Sequence, residues 1–223
     1  MKPQILLVKL AITNRVVLNR PFCDNVLMLA VLGLGSNKNF RSLDSLHLLA
    51  CACEALSRLF SDFRVSSVYC TKPMYVENQA DFLNMAVSGE TELSAHELLS
   101  KIHEIEAEFG RDRKNEIRNG ERTIDIDIEI FGNEEIHFSD PADPMKNLEI
   151  PHPRICERAF VLIPLLEVLP KNAEIQKRDF FEKSLAKIGN QGAEKLLDSA
   201  EFAKVIAQTE HFYGRTGGTN SGN

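Results

Sequence analysis

The segment ERTIDIDIEIFG, residues 121–132, alternates so regularly that it admits one local structure. Thr123, Asp125, Asp127 and Glu129 fall on one side of a period of two, and Ile124, Ile126, Ile128 and Ile130 fall on the other. A β-strand separates them in this way, with the isoleucines on an inner face and the acids opposite. Side chains two apart on a strand are about 6.5–7 Å from each other at the backbone, and two carboxylates there repel by about 2.5 kcal/mol at an effective dielectric near 20. On a solvated edge strand that repulsion is tolerable. On a half-buried face the acids must protonate, meet arginines or hold a divalent cation.

The neighbouring segments set this strand in an order. VLMLAVLGL (26–34) is a short apolar run ended by glycines, hence a buried strand. SLDSLHLLACACEALSRLF follows, with Ser42 expected as N-cap and Leu46, Leu49, Cys53, Leu56 and Phe60 on one helical face. FRVSSVYCT reads as one strand closed by the Lys72–Pro73 turn, and FLNMAVSGET (82–91) as another, with Phe82, Asn84, Ala86 and Ser88 on one side. In SAHELLSKIHEIEAEFG, Ser94 and Glu97 form a capping box, Leu98, Ile102, Ile105 and Phe109 face a core, and Gly110 stops the helix. The order is β-α-β-β-α-β, an α+β fold with the split βαβ arrangement of a ferredoxin-like domain, an antiparallel sheet with helices packed on it. Beyond it come a small strand near Ile136, a Pro/Asp-rich loop (139–147), IPHP, an apolar helix from about 157 to 168, and charged surface helices over 171–213.

The domain is therefore expected over 27–170, with 171–213 as its C-terminal helical part and the Gly/Ser/Thr/Asn-rich 214–223 as a disordered tail. Residues 1–26 show no clean period and read as an extension. They are either a lightly ordered appendage or a stretch ahead of a start at Met28, the second being favoured.

Composition narrows the function classes. Of 223 residues, 43% are hydrophobic and 26% charged, enough for one domain with a real core. A net charge of −6 argues against nucleic acid as the main partner. The most apolar piece, RAFVLIPLLEVLP, is too short to span a bilayer and contains Pro164, so no membrane role is expected. No secretory signal is visible, and five cysteines (Cys23, Cys51, Cys53, Cys70 and Cys156) suit a reducing, cytoplasmic setting. Cys51 and Cys53, two apart on a helix, point to different sides and read as helix interior rather than a metal site.

Directly before the acid strand, Arg111, Arg113, Lys114, Arg118 and Arg122 are packed into 12 residues with Asp112, Glu116 and Glu121. A solvated loop would account for such a run. An arginine loop leading into an acid-bearing strand is also what polyphosphate transfer needs: carboxylates for Mg²⁺, and guanidinium groups for charge on the moving group. GLGSN (33–37) lacks the P-loop and dinucleotide patterns and reads as a tight turn with Asn37 leading into the helix. No nucleophile elbow, H-E-x-x-H or C-x-x-C is present, so a covalent enzyme intermediate has no clear candidate. His152, held between Pro151 and Pro153 with Arg158 downstream, is either a satisfied histidine or a phosphate or ribose contact.

GLGSN, YCTKP, DFLNMAV, EAEFGRDRK, GERTIDIDIEIFGN and IPHPR…RAFVLIPL occur in this order, and the chain from about residue 29 to 170 resembles the 6-hydroxymethyl-7,8-dihydropterin pyrophosphokinases of folate biosynthesis. The resemblance implies transfer of the terminal pyrophosphate of ATP to the hydroxymethyl group of the dihydropterin; a cytoplasmic monomer is expected, though sequence does not fix the oligomeric state. The resemblance also implies two Mg²⁺ ions between Asp125, Asp127 and the triphosphate, with Arg111 and Arg113 as mobile catalytic arginines. Arg122, His152 and Arg158 match nucleotide and phosphate contacts, Arg118 lies in the same arginine loop, and Glu106 matches an adenosine-side position. Thr71, Asn84 and Phe160 match the pterin pocket, with Phe82 stacking or lining its wall; plain core is the alternative for both rings. Asn119 stands where many members have tryptophan, Phe82 replaces a common tyrosine, Lys72 a usual proline, and Glu129 a generally aliphatic residue. Glu129 is expected at a solvated strand end, outside the metal site. Another Mg²⁺-dependent nucleotide phosphotransferase, or a silent pterin- or nucleotide-binding module, would use the same residues.

Overall fold

A computed structural model describes residues 27–74, 78–113, 120–171 and 178–213, the last four by backbone alone. The expectations for residues 1–26, Lys114, Glu116, Arg118, Asn119 and 214–223 lie outside the described residues.

Seven elements come first in the chain: β1 (Met28–Ser36), α1 (Ser45–Ser57), β2 (Ser61–Val65), β3 (Val68–Thr71), β4 (Phe82–Thr91), α2 (Ala95–Glu108) and β5 (Asp125–Phe131). β1 lies between β4 and β5, antiparallel to both, and β2 and β3 line the far edge of β4. Taking β2 and β3 as one broken strand, this is the ferredoxin-like order expected from the sequence. The break corrects the reading of FRVSSVYCT as a single strand. At Ser66 the hydroxyl accepts the Ala86 amide at 2.9 Å, replacing a backbone partner in the ladder, and the Ser67 amide turns away to Glu167 Oε2 at 2.7 Å.

Two helix starts illustrate local chemistry. The Ser94–Glu97 capping box is present in both directions. For α1 the cap is Asp44, not Ser42, because Phe40 and Leu43 exchange backbone hydrogen bonds across a turn, which delays the helix. Asp44 Oδ1 then accepts from His47 N at 2.9 Å. Gly110, at φ 81°, ends α2 where a Cβ would strike the Phe40 ring, so glycine is required there for both conformation and space.

The chain continues with β6 (Ile136–Phe138), β7 (Leu148–Ile150), α3 (Ala159–Val168), α4 (Arg178–Ile188), β8 (Glu194–Leu197) and α5 (Ser199–Tyr213). β6 and β7 form a separate two-stranded sheet. The expectation of surface helices over 171–213 holds for α4 and needs correction beyond it. β8 extends the sheet beside β3, and α5 packs on α1, burying Phe202 completely. Polar residues interrupt the apolar ones along α5, so its buried stripe gave a weak signal in the sequence.

Two apolar clusters sandwich the sheet. α1, α2 and α5 cover one face together with Leu32, Leu34, Met85, Val87, Ile124, Ile126 and Ile128. On the other, Val31, Ala86 and Ile130 meet α3 and Phe181 of α4. Cys51 and Cys53 are buried in the first cluster, where burial pushes the Cys51 thiol up to about 11 and the Cys53 thiol higher still. No described helix is long and apolar enough to cross a membrane.

Ile130 departs from strict alternation. Leu32 pairs with Ile128 but Val31 pairs with Ile130, so Glu129 is an extra residue, a β-bulge. Ile130 therefore lies in the α3 cluster while Phe131 returns to the α1–α2 side.

Candidate active site

Directly opposed residues of an antiparallel pair share a face. The register across β5, β1 and β4 sets Asp125, Gly35 and Asn84 in one row, and Asp127, Gly33 and Ala86 in the next. Two glycines in the middle strand leave a trough between acids and amide. A Cβ on Gly33 would come within 2.9 Å of Glu129 Oε1, and one on Gly35 within 3.3 Å of Asn84 Oδ1. The glycines of GLGSN thus lie within β1 rather than in a tight turn, and their role as a trough was missed in the sequence. Asn37, just beyond, clamps two loops: its Oδ1 accepts from Arg122 N at 2.9 Å, and its Nδ2 donates to Ala80 O at 3.0 Å.

A cavity of about 120 Å³ opens over the trough. Its neutral side is made by Thr71, Phe82, Asn84 and Phe160. Asn84 Nδ2 donates to Thr71 Oγ1 at 2.8 Å, and both residues are buried. Phe82 belongs to neither apolar cluster, while Phe160 only flanks the second and carries the Arg158 guanidinium 5.6 Å from its ring centre. The rings are walls of the cavity rather than plain core. Lys72 also lines it and pairs with Asp81 at 2.8 Å.

The charged side holds Arg122, Asp125, Asp127, Glu129 and Arg158. Asp125 is gripped by Arg111 and Arg122. Burial would raise its pKa, but the two guanidinium groups outweigh that and hold it below the ordinary value. The charges of Arg111 and Arg113 act on Asp127 as well, but they are outweighed there. Burial, then the charges of Asp125 and Glu106, push the Asp127 carboxyl up to about 7.

Behind this lining, Glu106 is 1% exposed and binds Arg111, Arg113 and the Ile126 amide. The resemblance implied a contact with ATP for Glu106; here its carboxylate anchors the two loop arginines to the strand, and neither it nor those arginines line the cavity. His152 also stands outside the lining, its amide donating to Glu129 O at 3.2 Å. Its Nδ1 accepts from Arg154 N at 3.3 Å, and burial and then Arg158 bring its pKa down to about 4, so the ring is neutral with its proton on Nε2.

The expectation that Glu129 sits at a solvated strand end is overturned: it is 2% exposed and lines the cavity. The bulge and the missing side chain of Gly33 let it fold inward, information that lies on another strand. Its Oε2 and the Nε of Arg158 have no hydrogen-bond partner among the described residues. Burial and the Asp127 charge push its carboxyl well above the usual range.

Two acids, one kept protonated to near neutral pH by burial and then by like charges, suit a hard divalent cation, which would supply compensating positive charge. Among the described residues no three His, Cys, Asp or Glu side chains converge as ligands.

Comparison with known proteins bears on this arrangement. The profile of the 7,8-dihydro-6-hydroxymethylpterin-pyrophosphokinase (HPPK) family matches residues 31–170. The 2-amino-4-hydroxy-6-hydroxymethyldihydropteridine pyrophosphokinase of Aquifex aeolicus is 38% identical over 139 residues, 62% of this chain and 79% of that protein. The Bacillus subtilis protein of the same name is 48% identical over 105 residues, 47% of this chain. The matched stretch spans 58% of that relative, less than two thirds of its length. In fold, the chain is similar to wild-type Plasmodium falciparum HPPK-DHPS crystallised with SDX-DHP, at a TM-score of 0.52 and 15% identity, over 76% of this chain and 48% of that one.

Proposed function

Because this chain belongs to the 7,8-dihydro-6-hydroxymethylpterin-pyrophosphokinase family, we propose that it transfers the terminal pyrophosphate of ATP to the hydroxymethyl group of 6-hydroxymethyl-7,8-dihydropterin, releasing AMP, as a step in folate biosynthesis. The supporting observation is one cavity that joins two unlike halves, a neutral aromatic slot and a pair of acids among arginines. A flat heterocycle with a polar edge suits the first, and a polyphosphate the second.

In the neutral half, Asn84 and Thr71 would meet the pterin edge as donor and acceptor, and Phe82 and Phe160 its faces. The glycine trough leaves the way open from there to Asp125 and Asp127. In the charged half, Arg122 and Arg158 would bind phosphate oxygens, and His152 would donate from Nε2 to phosphate or ribose. Arg111 and Arg113 would exchange Glu106 and Asp125 for the triphosphate, with Glu106 orienting them from the ATP side. Asp125 and Asp127 would hold Mg²⁺, two ions with ATP, which when bound screens the triphosphate and polarises the group under attack. The four described cysteines are free, which fits a reducing cytoplasm.

The decisive measurement is AMP formation from ATP, with and without the hydroxymethyldihydropterin and with and without Mg²⁺. AMP that requires both is the expected result. AMP without the pterin would indicate a different nucleotide transferase, and no AMP under any condition a binding module.

A further inference from the structure

Helix α3 carries cavity residues at its first turn, yet its own N-cap residue, Arg158, supplies no side-chain capping bond. The first amides of a helix need acceptors from outside it. Here the acceptor comes from Gln191, 32 residues along the chain: its Oε1 accepts from Ala159 N at 2.9 Å. The Nε2 of the same amide donates to the Glu157 carbonyl at 3.0 Å. One side chain therefore ties the backbone on both sides of Arg158, immediately before Phe160, and both of those residues line the cavity.

The backbone of Gln191 points to a role for this side chain. It sits at φ 48°, between Gly189 at 70° and Gly192 at 77°. A residue with a Cβ adopts that left-handed conformation against a steric penalty that glycine escapes. Glutamine at this site is accounted for by what its amide holds. The surrounding loop also backs the substrate wall: Asn190, Gln191 and Ala193 enclose a second cavity of about 30 Å³ with Thr71, Lys72 and Phe160. Glu194, just after the loop, pairs with Cys70 beside Thr71. The loop lies beyond residue 170, where the family profile ends.

We infer that Gln191 is a positioning residue for the site, setting the Phe160 ring of its pterin half, with the Arg158 guanidinium of the charged half beside it, by holding the first turn of α3. The inference rests on the function proposed above. Phe160 and Arg158 touch the substrate in that reading; Gln191 acts through them.

Gln191→Gly provides the test, because it removes both hydrogen bonds and the backbone strain together. Its melting temperature should stay within about 2 °C of the parent, while the KM for the pterin rises about fivefold, the weight of one lost cap, and kcat changes less than about twofold. Amide hydrogen exchange at Ala159 should accelerate in the same variant. Gln191→Glu keeps an oxygen for the Ala159 amide and should recover most of the parent KM. An unchanged pterin KM in Gln191→Gly overturns the inference, as does a joint fall of kcat and melting temperature with no recovery in Gln191→Glu. A parent that makes no pterin-dependent AMP overturns the proposed function and this inference with it; an active parent with an indifferent Gln191→Gly removes the inference alone.

Discussion

On the α1–α2 side of the sheet, Leu32, Leu34, Met85, Val87, Ile126 and Ile128 are each at most 4% exposed and belong to one apolar cluster. On the opposite side the same three strands present Gly33, Gly35, Asn84, Asp125 and Asp127 beneath an open cavity. These are alternate residues of one backbone. The closed face supplies the burial that stabilises the sheet, and the other face is thereby free to keep unfavourable neighbours, two acids beside a third buried one. Residues at the charged site cost stability, and those behind it provide stability.

Three changes would break or sharpen that contrast. The largest effect belongs to Asp127→Asn, which should lower turnover on the order of a thousandfold by removing a carboxylate that the proposed pyrophosphate transfer requires. The same change should stabilise the ligand-free protein. The Asp127 pKa is raised from 3.8 to about 7, so the folded state keeps a proton that the unfolded chain loses. Its stabilising contribution is full below about pH 4 and is lost as pH rises through about 7. Calorimetry should show the variant melting above the parent at pH 8 and level with it at pH 4. A variant that melts no higher at pH 8 would mean that the carboxylate is already neutralised.

Ile128→Ala, one residue along and on the closed face, should do the reverse. It should cost about 3 kcal/mol and lower the melting temperature by roughly 10 °C. Turnover per folded molecule, measured well below the melting point, should change by less than about twofold. A large loss of kcat would show that the two faces are less independent than their packing implies.

The smallest effect is a gain. Glu129→Met replaces a buried acid with an unpartnered oxygen by an unbranched apolar chain, and should stabilise by about 1 kcal/mol near neutral pH. Because the folded-state pKa of Glu129 is raised, its ionisation opposes folding more as pH increases, so the gain should grow from pH 5 to pH 9. Thermal melts across that range would check it. A destabilised variant at all pH values would show that Glu129 has a partner it depends on.

Sequence and structure agree where the cause is local. The Ser94–Glu97 box involves residues three apart and forms as read. The opposition of Asp125 and Asp127 to Ile124, Ile126 and Ile128 needs only a strand. The resemblance named Thr71, Asn84, Phe82 and Phe160, and the structure brings all four to one cavity. Ser42 failed as a cap because a turn at Phe40–Leu43 delays α1. Glu129 and Ile130 failed because the bulge is a property of two strands in register.

The amino-acid sequence by itself determined which residues share a face along each uninterrupted strand and helix, because those periods are set by covalent geometry within a few residues. It also determined the order of elements, and with them the ferredoxin-like fold. Tertiary structure alone decided what those faces meet. Gly33 on one strand makes room for Glu129 on another, the C-terminal Gln191 holds the first turn of α3, and Glu106 on α2 anchors the arginines that reach Asp125. Burial, and with it the charge state of each acid, depends on atoms brought near by folding across long stretches of chain, and no local period encodes them.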